Sequence, residues 1–349
     1  MESIRIGGRL VGRGEPCFII AEAGVNHNGD LILAKKLVDA AKETGVDCIK
    51  FQTYSTDKLV TRTSPKPEYQ KRGAPVKESQ YQMLKKLELS HEDQAKLKKY
   101  AEAKKILFLS TPYDVDSINF LVGLEVQALK ISSADITNLP LLTHAAATGL
   151  PIILSTGMST LGEVEEAVKT ISDSGNSKLI LLHCNFNYPA DVGDVNLRAM
   201  TTLQQAFQLP VGYSDHTPGH EVCLAAVALG AVVIEKHFTL DRNLPGPDHK
   251  ASIEPSEMKE LVSKIRKVEK ALGSPIKRPS GAEIANRTIS RRSITAAIDI
   301  PAGETITLEM LCTKRPGTGL EPKYMTNLVG RKARYRIRKD EFLDWGKVE

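Results

Sequence analysis

The 349-residue chain lacks any cysteine pair at metal-ligand spacing: Cys17, Cys48, Cys184, Cys223 and Cys312 form no CxxC, and most lie inside apolar segments. An odd number of scattered thiols excludes a disulfide framework and fits reduced core thiols in a cytoplasmic protein. No run approaches the roughly 20 apolar residues of a membrane span. The start, MESIRIGGRLVGRGE, lacks the charged-then-apolar layout of a signal peptide. Charge of one sign is also missing. With 47 basic and 42 acidic residues interspersed, the net charge of +5 argues against a nucleic-acid surface but leaves room for a small anionic substrate met by local lysines.

What is present is a rhythm. Short runs rich in Ile, Val and Leu alternate with longer amphipathic stretches, the signature of a parallel sheet covered by helices. Eight runs read as strands: CFIIAEAG, CIKFQTY, LFLSTP, ALKISSAD, PIILSTG, LILLHC, PVGYSDH and VVIEKHFT. Helical spacing marks LILAKKLVDAAKETG, HEDQAKLKKYAEAKK and LGEVEEAVKTISDSG between them. The expected fold is α/β, a (β/α)8 TIM barrel over residues 1–272, since one such barrel needs roughly 250 residues. A Pro, Ser and Gly rich linker is expected at 273–284, then a small mainly β domain at 285–349, where turns such as PAGE and RPGTG separate short β-type runs. Between Tyr54 and Ser90 the connection is long, polar and proline-containing, and reads as a substrate lid.

The ends of the predicted strands carry the chemistry. In order they deliver Glu22, Lys50 with Gln52, Thr111, Lys130 with Ser133 and Asp135, Ser155, His183, Ser214 with Asp215 and His216, and Glu235 with His237. Barrel enzymes place their sites at this face. Lysines and carboxylates in a barrel interior need partners, and a ligand bearing negative charge is one. Ser133, Ser155 and Ser214 taken singly are turn formers, but with two lysines they resemble a hydroxyl-plus-ammonium cradle for phosphate.

His216 in VGYSDHT and His237 in VIEKHFT follow adjacent apolar runs, so both imidazoles aim at one point. Two imidazoles with Glu22, Asp215 and Glu235 close by, and no thiolate pair, suit an octahedral Mn2+ or Mg2+ that keeps several waters better than structural zinc. His183 reads as a core histidine. His27, His91, His144, His220 and His249 read as surface, capping or supporting residues.

The blocks IIAEAGVNHNGD, VDCIKFQTY, FLSTPYD, LKISSADITNLPLL, PIILSTGMST, LLHCNFNYPA, VGYSDHT and VVIEKHFTLDRNLPGPDHK occur in order along the chain. In them the sequence closely resembles the sialic acid synthase family, the bacterial N-acetylneuraminate synthases and their nonulosonate relatives. KRPGTG lies in a segment similar to antifreeze-like (SAF) domains. The resemblance implies metal-assisted condensation of phosphoenolpyruvate with an open-chain N-acylmannosamine-type aldose, giving a nine-carbon 2-keto acid and phosphate by C–O cleavage. It puts the metal, Mn2+ with Mg2+ or Co2+ as alternatives, on His216 and His237. Phosphoenolpyruvate contacts fall on Lys50, Thr111, Lys130, Ser133, Ser155 and Ser214, and sugar contacts on Gln52, Asp135, Tyr188 and Asp248. Glu22 matches an acidic residue near the reacting carbons. Arg315 matches an arginine that the SAF domain of a domain-swapped homodimer inserts into the partner's active site.

Two positions depart from the family pattern. Asp135 stands where many bacterial members have Glu, and Phe186 fills a position that is often small and polar. A more apolar wall there favours a trideoxy diacetamido sugar, the precursor of legionaminic acid, over N-acetylmannosamine. Two readings of other classes compete: a Schiff-base aldolase using Lys50 or Lys130, and a non-catalytic sugar-binding protein on a barrel scaffold.

Overall fold

The chain opens with a hairpin of β1 (Ile4–Ile6) and β2 (Arg9–Val11), which the sequence reading passed over because three-residue strands carry no usable period. This computed structural model describes residues 3–66 and 78–349. Eight strands follow the hairpin: β3 (Phe18–Gly24), β4 (Cys48–Thr53), β5 (Leu107–Pro112), β6 (Leu129–Ile131), β7 (Ile152–Ser155), β8 (Leu179–Cys184), β9 (Val211–Asp215) and β10 (Val233–His237). They form one parallel sheet in the order β5-β4-β3-β10-β9-β8-β7-β6. Its two ends, β5 and β6, lie side by side, which makes the sheet a TIM barrel.

Side-chain alternation sorts each strand into two faces. Ile19, Ile49, Phe108, Leu129, Leu154, Leu181, Tyr213 and Ile234 point outward and are buried under the helices in the largest apolar cluster. Phe18, Ile20, Cys48, Leu109, Ala128, Ile153, Ile180, Leu182 and Val233 point inward, and Ile4, Ile6 and Val11 of the hairpin join this inner cluster. The hairpin therefore packs on the barrel interior at the end where the strands begin.

Local signals set the helix ends. Asp30 accepts from the amides of Ile32 and Leu33 to start the helix Leu31–Thr44, and Gly45, at φ 81°, stops it. A reciprocal Thr160–Glu163 capping box starts the helix Leu161–Asp173. The expected strand ALKISSAD is cut at Ile131, because the Ser132 hydroxyl accepts from the Ala134 amide and turns the chain into a 3-10 helix, Ser133–Asp135. In the long connection after β4, short helices Thr56–Leu59 and Gln80–Leu87 flank residues 67–77. That middle part of the expected lid lies outside the described residues.

The chain divides into two units, Met1–Gly273 and Ser274–Glu349. Within the second, β11 (Ser293–Ala296) and β12 (Leu311–Lys314) pair antiparallel over a core that includes Ile294, Ile300, Ile337 and Leu343. A helix, Gly281–Ser290, begins inside the stretch expected as linker, started by a Ser280–Glu283 capping box. None of the described helices is long and apolar enough to cross a membrane.

His27 and His249 are not at the surface. Both are buried, His27 Nδ1 accepting from the Gly29 amide at 3.0 Å and His249 Nδ1 meeting Thr239 Oγ1 at 2.7 Å. Burial pulls the His27 imidazole down to about 4, so it folds neutral.

Gly212, in β9, faces the interior where a Cβ would lie 2.5 Å from the Val233 carbonyl oxygen and 2.7 Å from Leu182 Cδ2. Backbone cannot yield as a side-chain tip can. Gly212→Ala is expected to cost roughly 1–3 kcal/mol by overpacking, read as a lower urea midpoint at unchanged slope; an unshifted midpoint would show that β9 and β10 can separate freely here.

Candidate active site

The inward register continues to the C-terminal end of each strand, where the residue type changes. Two positions beyond Ile20, Cys48, Leu109, Ala128, Ile153, Leu182, Gly212 and Val233 stand Glu22, Lys50, Thr111, Lys130, Ser155, Cys184, Ser214 and Glu235. All eight line one cavity of about 390 Å³. Gln52, Ser133, Asp135, Tyr188, His216, His237 and Asp248 line it too, so the barrel gathers thirteen of the fourteen expected site residues. Arg315, the fourteenth, is exposed in the second unit and makes no ion pair among the described residues.

Four buried charges form the floor. Lys50 Nζ lies 2.5 Å from Glu22 Oε2 and donates to Thr111 Oγ1 at 3.0 Å. Lys130 Nζ donates to Ser155 Oγ at 2.7 Å. Between them Glu235 Oε1 sits 3.7 Å from each ammonium and accepts from Ser214 Oγ at 3.3 Å, while its Oε2 has no hydrogen-bond partner among the described residues. Burial pushes the Glu22 carboxyl up to about 7, against the pull of Lys50 and helped by the like charge of Glu235. Burial also acts on Glu235, but Lys130 and Lys50 outweigh it and hold this carboxyl below its usual range. Lys130 is pulled down by burial; Lys50, equally buried, is raised because Glu22 and Glu235 outweigh the desolvation.

Around this floor further polar groups line the cavity. Ser133 Oγ accepts from the Gly157 amide at 2.9 Å and lies 3.2 Å from Cys184 Sγ. Gln52 Nε2 reaches Glu22 Oε1 at 3.5 Å. One Asp135 oxygen takes Asn138 Nδ2 at 3.3 Å, and Oδ2 is buried without a hydrogen bond among the described residues. Burial raises Asp135, and raises Asp248 to about 6.

The two imidazoles have ring centroids 5.4 Å apart, and the Tyr188 ring packs on both, at 4.1 Å from His216 and 5.2 Å from His237. His216 Nδ1 donates to the Asn185 carbonyl, which leaves the Nε2 lone pair free. His237 Nδ1 has no hydrogen bond among the described residues; Asp248 Oδ2 is 4.0 Å away. Burial lowers His216 to about 4 and His237 well below its usual value, so both are neutral, the state a metal binds. No group of three or more His, Cys, Asp or Glu side chains among the described residues is spaced to hold an ion. The donors present are two neutral imidazoles with no thiolate pair beside them, a set that fits a divalent cation filling its remaining positions with water or substrate better than a closed four-ligand zinc site.

The NeuB family profile matches residues 37–277, and a SAF domain profile matches 291–349. The chain belongs to the NeuB family. It is 53% identical over 337 residues, 95% of each chain, to the N,N'-diacetyllegionaminic acid synthase of Legionella pneumophila. It is 38% identical over 336 residues, 96% of this chain and 93% of the relative, to the human N-acetylneuraminate-9-phosphate synthase. Among solved structures, the N-acetylneuraminic acid synthetase of Leptospira borgpetersenii, determined with citrate, superposes with a TM-score of 0.73 at 39% identity, covering 82% of this chain and 95% of that one.

Asp215, grouped with the metal-side carboxylates on sequence, points the other way. It alternates with Ser214 and His216 and is bound outside the barrel interior by Lys236 and Thr217. Sequence reasoning missed the apolar wall of the cavity: Val25, Leu59, Val60, Met83, Leu84 and Tyr113 line it, most of them from the long connection after β4. His183 is half-buried with Nε2 on the Val195 carbonyl at 2.7 Å and does not line the cavity.

Lys50→Met leaves Glu22 buried beside Glu235 with its nearest cation gone, so the Glu22 carboxyl rises further. A carboxyl whose folded value exceeds its unfolded one stabilises least when ionised. Stability of this variant should fall as pH rises from about 4.5 through the raised value, at roughly 1.4 kcal/mol per unit for one group, approaching the roughly 3–5 kcal/mol of a broken buried pair at alkaline pH. Thermal melts from pH 5 to 9 read this; a deficit independent of pH would mean that Glu22 does not titrate there.

Proposed function

We propose that this chain is a nonulosonate synthase that condenses phosphoenolpyruvate with the open-chain form of an N-acylated amino sugar, giving a nine-carbon 2-keto acid and phosphate. The observation that carries the reading is the pairing, in one cavity, of two buried ammonium groups with hydroxyl partners and two neutral imidazoles beside them. The names of the relatives agree with it.

Lys50 with Thr111, and Lys130 with Ser155, Ser133 and Ser214, hold the carboxylate and phosphate of phosphoenolpyruvate. Gln52, Asp135, Tyr188 and Asp248 face the sugar, and the unpartnered oxygen of Asp135 accepts from a sugar hydroxyl. His216 and His237 would hold Mn2+, or Mg2+ or Co2+, which when bound supplies Lewis-acid polarisation of the aldehyde oxygen. Attack by C3 of the enol phosphate on the aldehyde carbon leaves a cation at C2 and turns the aldehyde oxygen into an alkoxide, which takes up a proton to become the product hydroxyl. Glu22, at about 7, takes the proton of the water that adds there, and the resulting tetrahedral centre expels phosphate while Lys50 and Lys130 hold its charge. Tyr188 and the wall of Leu59, Val60 and Met83 keep other water out.

Phe186 stands edge-on to Tyr188 at 5.7 Å and lines the same cavity. With that apolar wall it favours 2,4-diacetamido-2,4,6-trideoxymannose, whose methyl and acetamido groups replace hydroxyls of N-acetylmannosamine. Purified protein given Mn2+, phosphoenolpyruvate and each aldose should release phosphate, lose turnover in EDTA, and prefer the trideoxy sugar by roughly tenfold or more in kcat/KM, the scale of a few apolar contacts. EDTA-resistant turnover with borohydride trapping of pyruvate would support the imine reading through Lys50 or Lys130. No phosphate release with any aldose would return the binding-protein reading. A preference for N-acetylmannosamine would overturn the sugar assignment alone.

We assign the barrel to residues 1–272 and the SAF domain to 285–349, in a cytoplasmic, domain-swapped homodimer in which Arg315 reaches the partner's cavity. The free cysteines, four of them buried, agree with a reducing compartment. Arg315→Ala should lower kcat by roughly 100-fold, the scale of one lost donor to developing charge, and elute as a dimer. Mixed dimers of Arg315→Ala with His216→Ala subunits should regain activity; a mixture as inactive as its parents, with subunit exchange verified, would defeat action across subunits.

A further inference from the structure

The two imidazoles stand at strand ends, where ladder pairing stops. β9 ends at Asp215 and β10 at His237, and the register between them pairs Ser214 with Glu235 and Asp215 with Lys236. The first pair faces the cavity. The second faces the helices, on the layer otherwise filled by Tyr213, Ile234 and their neighbours. An ion pair there is out of place on energetic grounds, since burying both charges costs about as much as their attraction returns, and apolar residues of similar volume do as well or better.

Both side chains are nearly inaccessible, 4% for Lys236 and 0% for Asp215. Their bonds converge on the turn that carries His216. Asp215 Oδ1 accepts from the Thr217 amide at 3.0 Å and from Thr217 Oγ1 at 2.8 Å. Lys236 Nζ donates to Asp215 Oδ2 at 2.5 Å and to the Thr217 carbonyl at 2.7 Å, and Cys223 Sγ, from the helix behind, meets Asp215 Oδ2 at 3.1 Å. His216 is thereby fixed through both chain neighbours. The cation doing it is the residue before His237.

We propose that Asp215 and Lys236 form a cross-strand clamp that sets the spacing of His216 and His237, making them positioning residues for the divalent cation although neither side chain faces the cavity. The inference rests on the metal reading above. Freed of the clamp, the turn 215–217 keeps the Ala190 amide on the His216 carbonyl at 2.9 Å and the His216 ring keeps its bond to the Asn185 carbonyl, but the Thr217 side loses its anchors to Asp215 and Lys236, and the imidazoles spend less time at a common point. The phosphate-side groups Lys50, Thr111, Lys130 and Ser155 stand on four other strands and stay as they are.

The test is Mn2+ binding to chelator-stripped protein, followed by electron paramagnetic resonance and calorimetry, alongside binding of phosphoenolpyruvate without metal. Wild type should bind one Mn2+ and His216→Ala none; failure of this pair overturns the metal reading itself. With it standing, the apolar pair Asp215→Leu/Lys236→Met should fold with a near-normal melting temperature, bind phosphoenolpyruvate as wild type, and weaken Mn2+ by roughly 10–100-fold. Lys236→Arg, which keeps charge and donors, should bind Mn2+ as wild type. Should the apolar pair not fold, Asp215→Asn reads the same loss. Wild-type Mn2+ affinity in a folded clamp variant, or equal loss of Mn2+ and phosphoenolpyruvate affinity, would overturn the clamp.

Discussion

The period of two along eight parallel strands is the constraint on which the rest depends. Because inward and outward positions alternate, one strand can carry apolar side chains to the helices on one face and, on the other, a stack that changes from apolar to polar as it rises. β10 shows this in five residues: Val233 joins the inner core, Ile234 the outer one, Glu235 the cavity, Lys236 the outer layer and His237 the cavity. A slip of one residue would exchange every one of these roles. Eight such strands, closed on themselves and joined at one end by Ile4, Ile6 and Val11, leave the opposite end as the place where buried polar groups meet.

Meeting there, they must neutralise one another. Glu22 and Glu235 face Lys50 and Lys130, two charges of each sign among inaccessible side chains, and the asymmetry within this quartet is informative. Glu235 touches both ammoniums and stays ionised; Glu22 holds one close and is pushed to about 7. Environment thus separates two chemically alike carboxyls into a fixed charge and a group able to exchange a proton near neutral pH, the division that acid–base chemistry requires.

Much of this was legible without coordinates, and for a stated reason: strand-end residues differ in type from the runs they end, so Lys50 in CIKFQ and Lys130 in ALKIS stand out. What alternation hides was lost. Asp215 and His216 are neighbours in sequence and look like one cluster, yet the period of two sends them to opposite faces, and Lys236 was passed over between Glu235 and His237. The helix Gly281–Ser290 was announced by Ser280 and Glu283 three residues apart, but the prolines and glycine around them read as linker. The apolar wall of Leu59, Val60 and Met83 left no signal, because its partners Val25, Tyr54 and Tyr113 lie outside its own stretch of sequence.

Charge balance links the barrel to the rest of the proposal. With Glu22 ionised, as a general base must be, the four floor charges sum to zero, while phosphoenolpyruvate brings a carboxylate and a phosphate, roughly three negative charges at neutral pH. Desolvating that excess is prohibitive in a buried cavity unless cations arrive with it. Under the proposed function a divalent ion held by the imidazole pair would supply two, and the partner's Arg315 would supply the third, without Glu235 changing state. On this reading the neutral imidazoles and the second unit answer one need. A barrel whose two lysines already face its own carboxylates needs imported positive charge to bind a trianion, and under the proposed function His237, whose Nδ1 has no hydrogen bond among the described residues, and the exposed Arg315 are where that charge would enter.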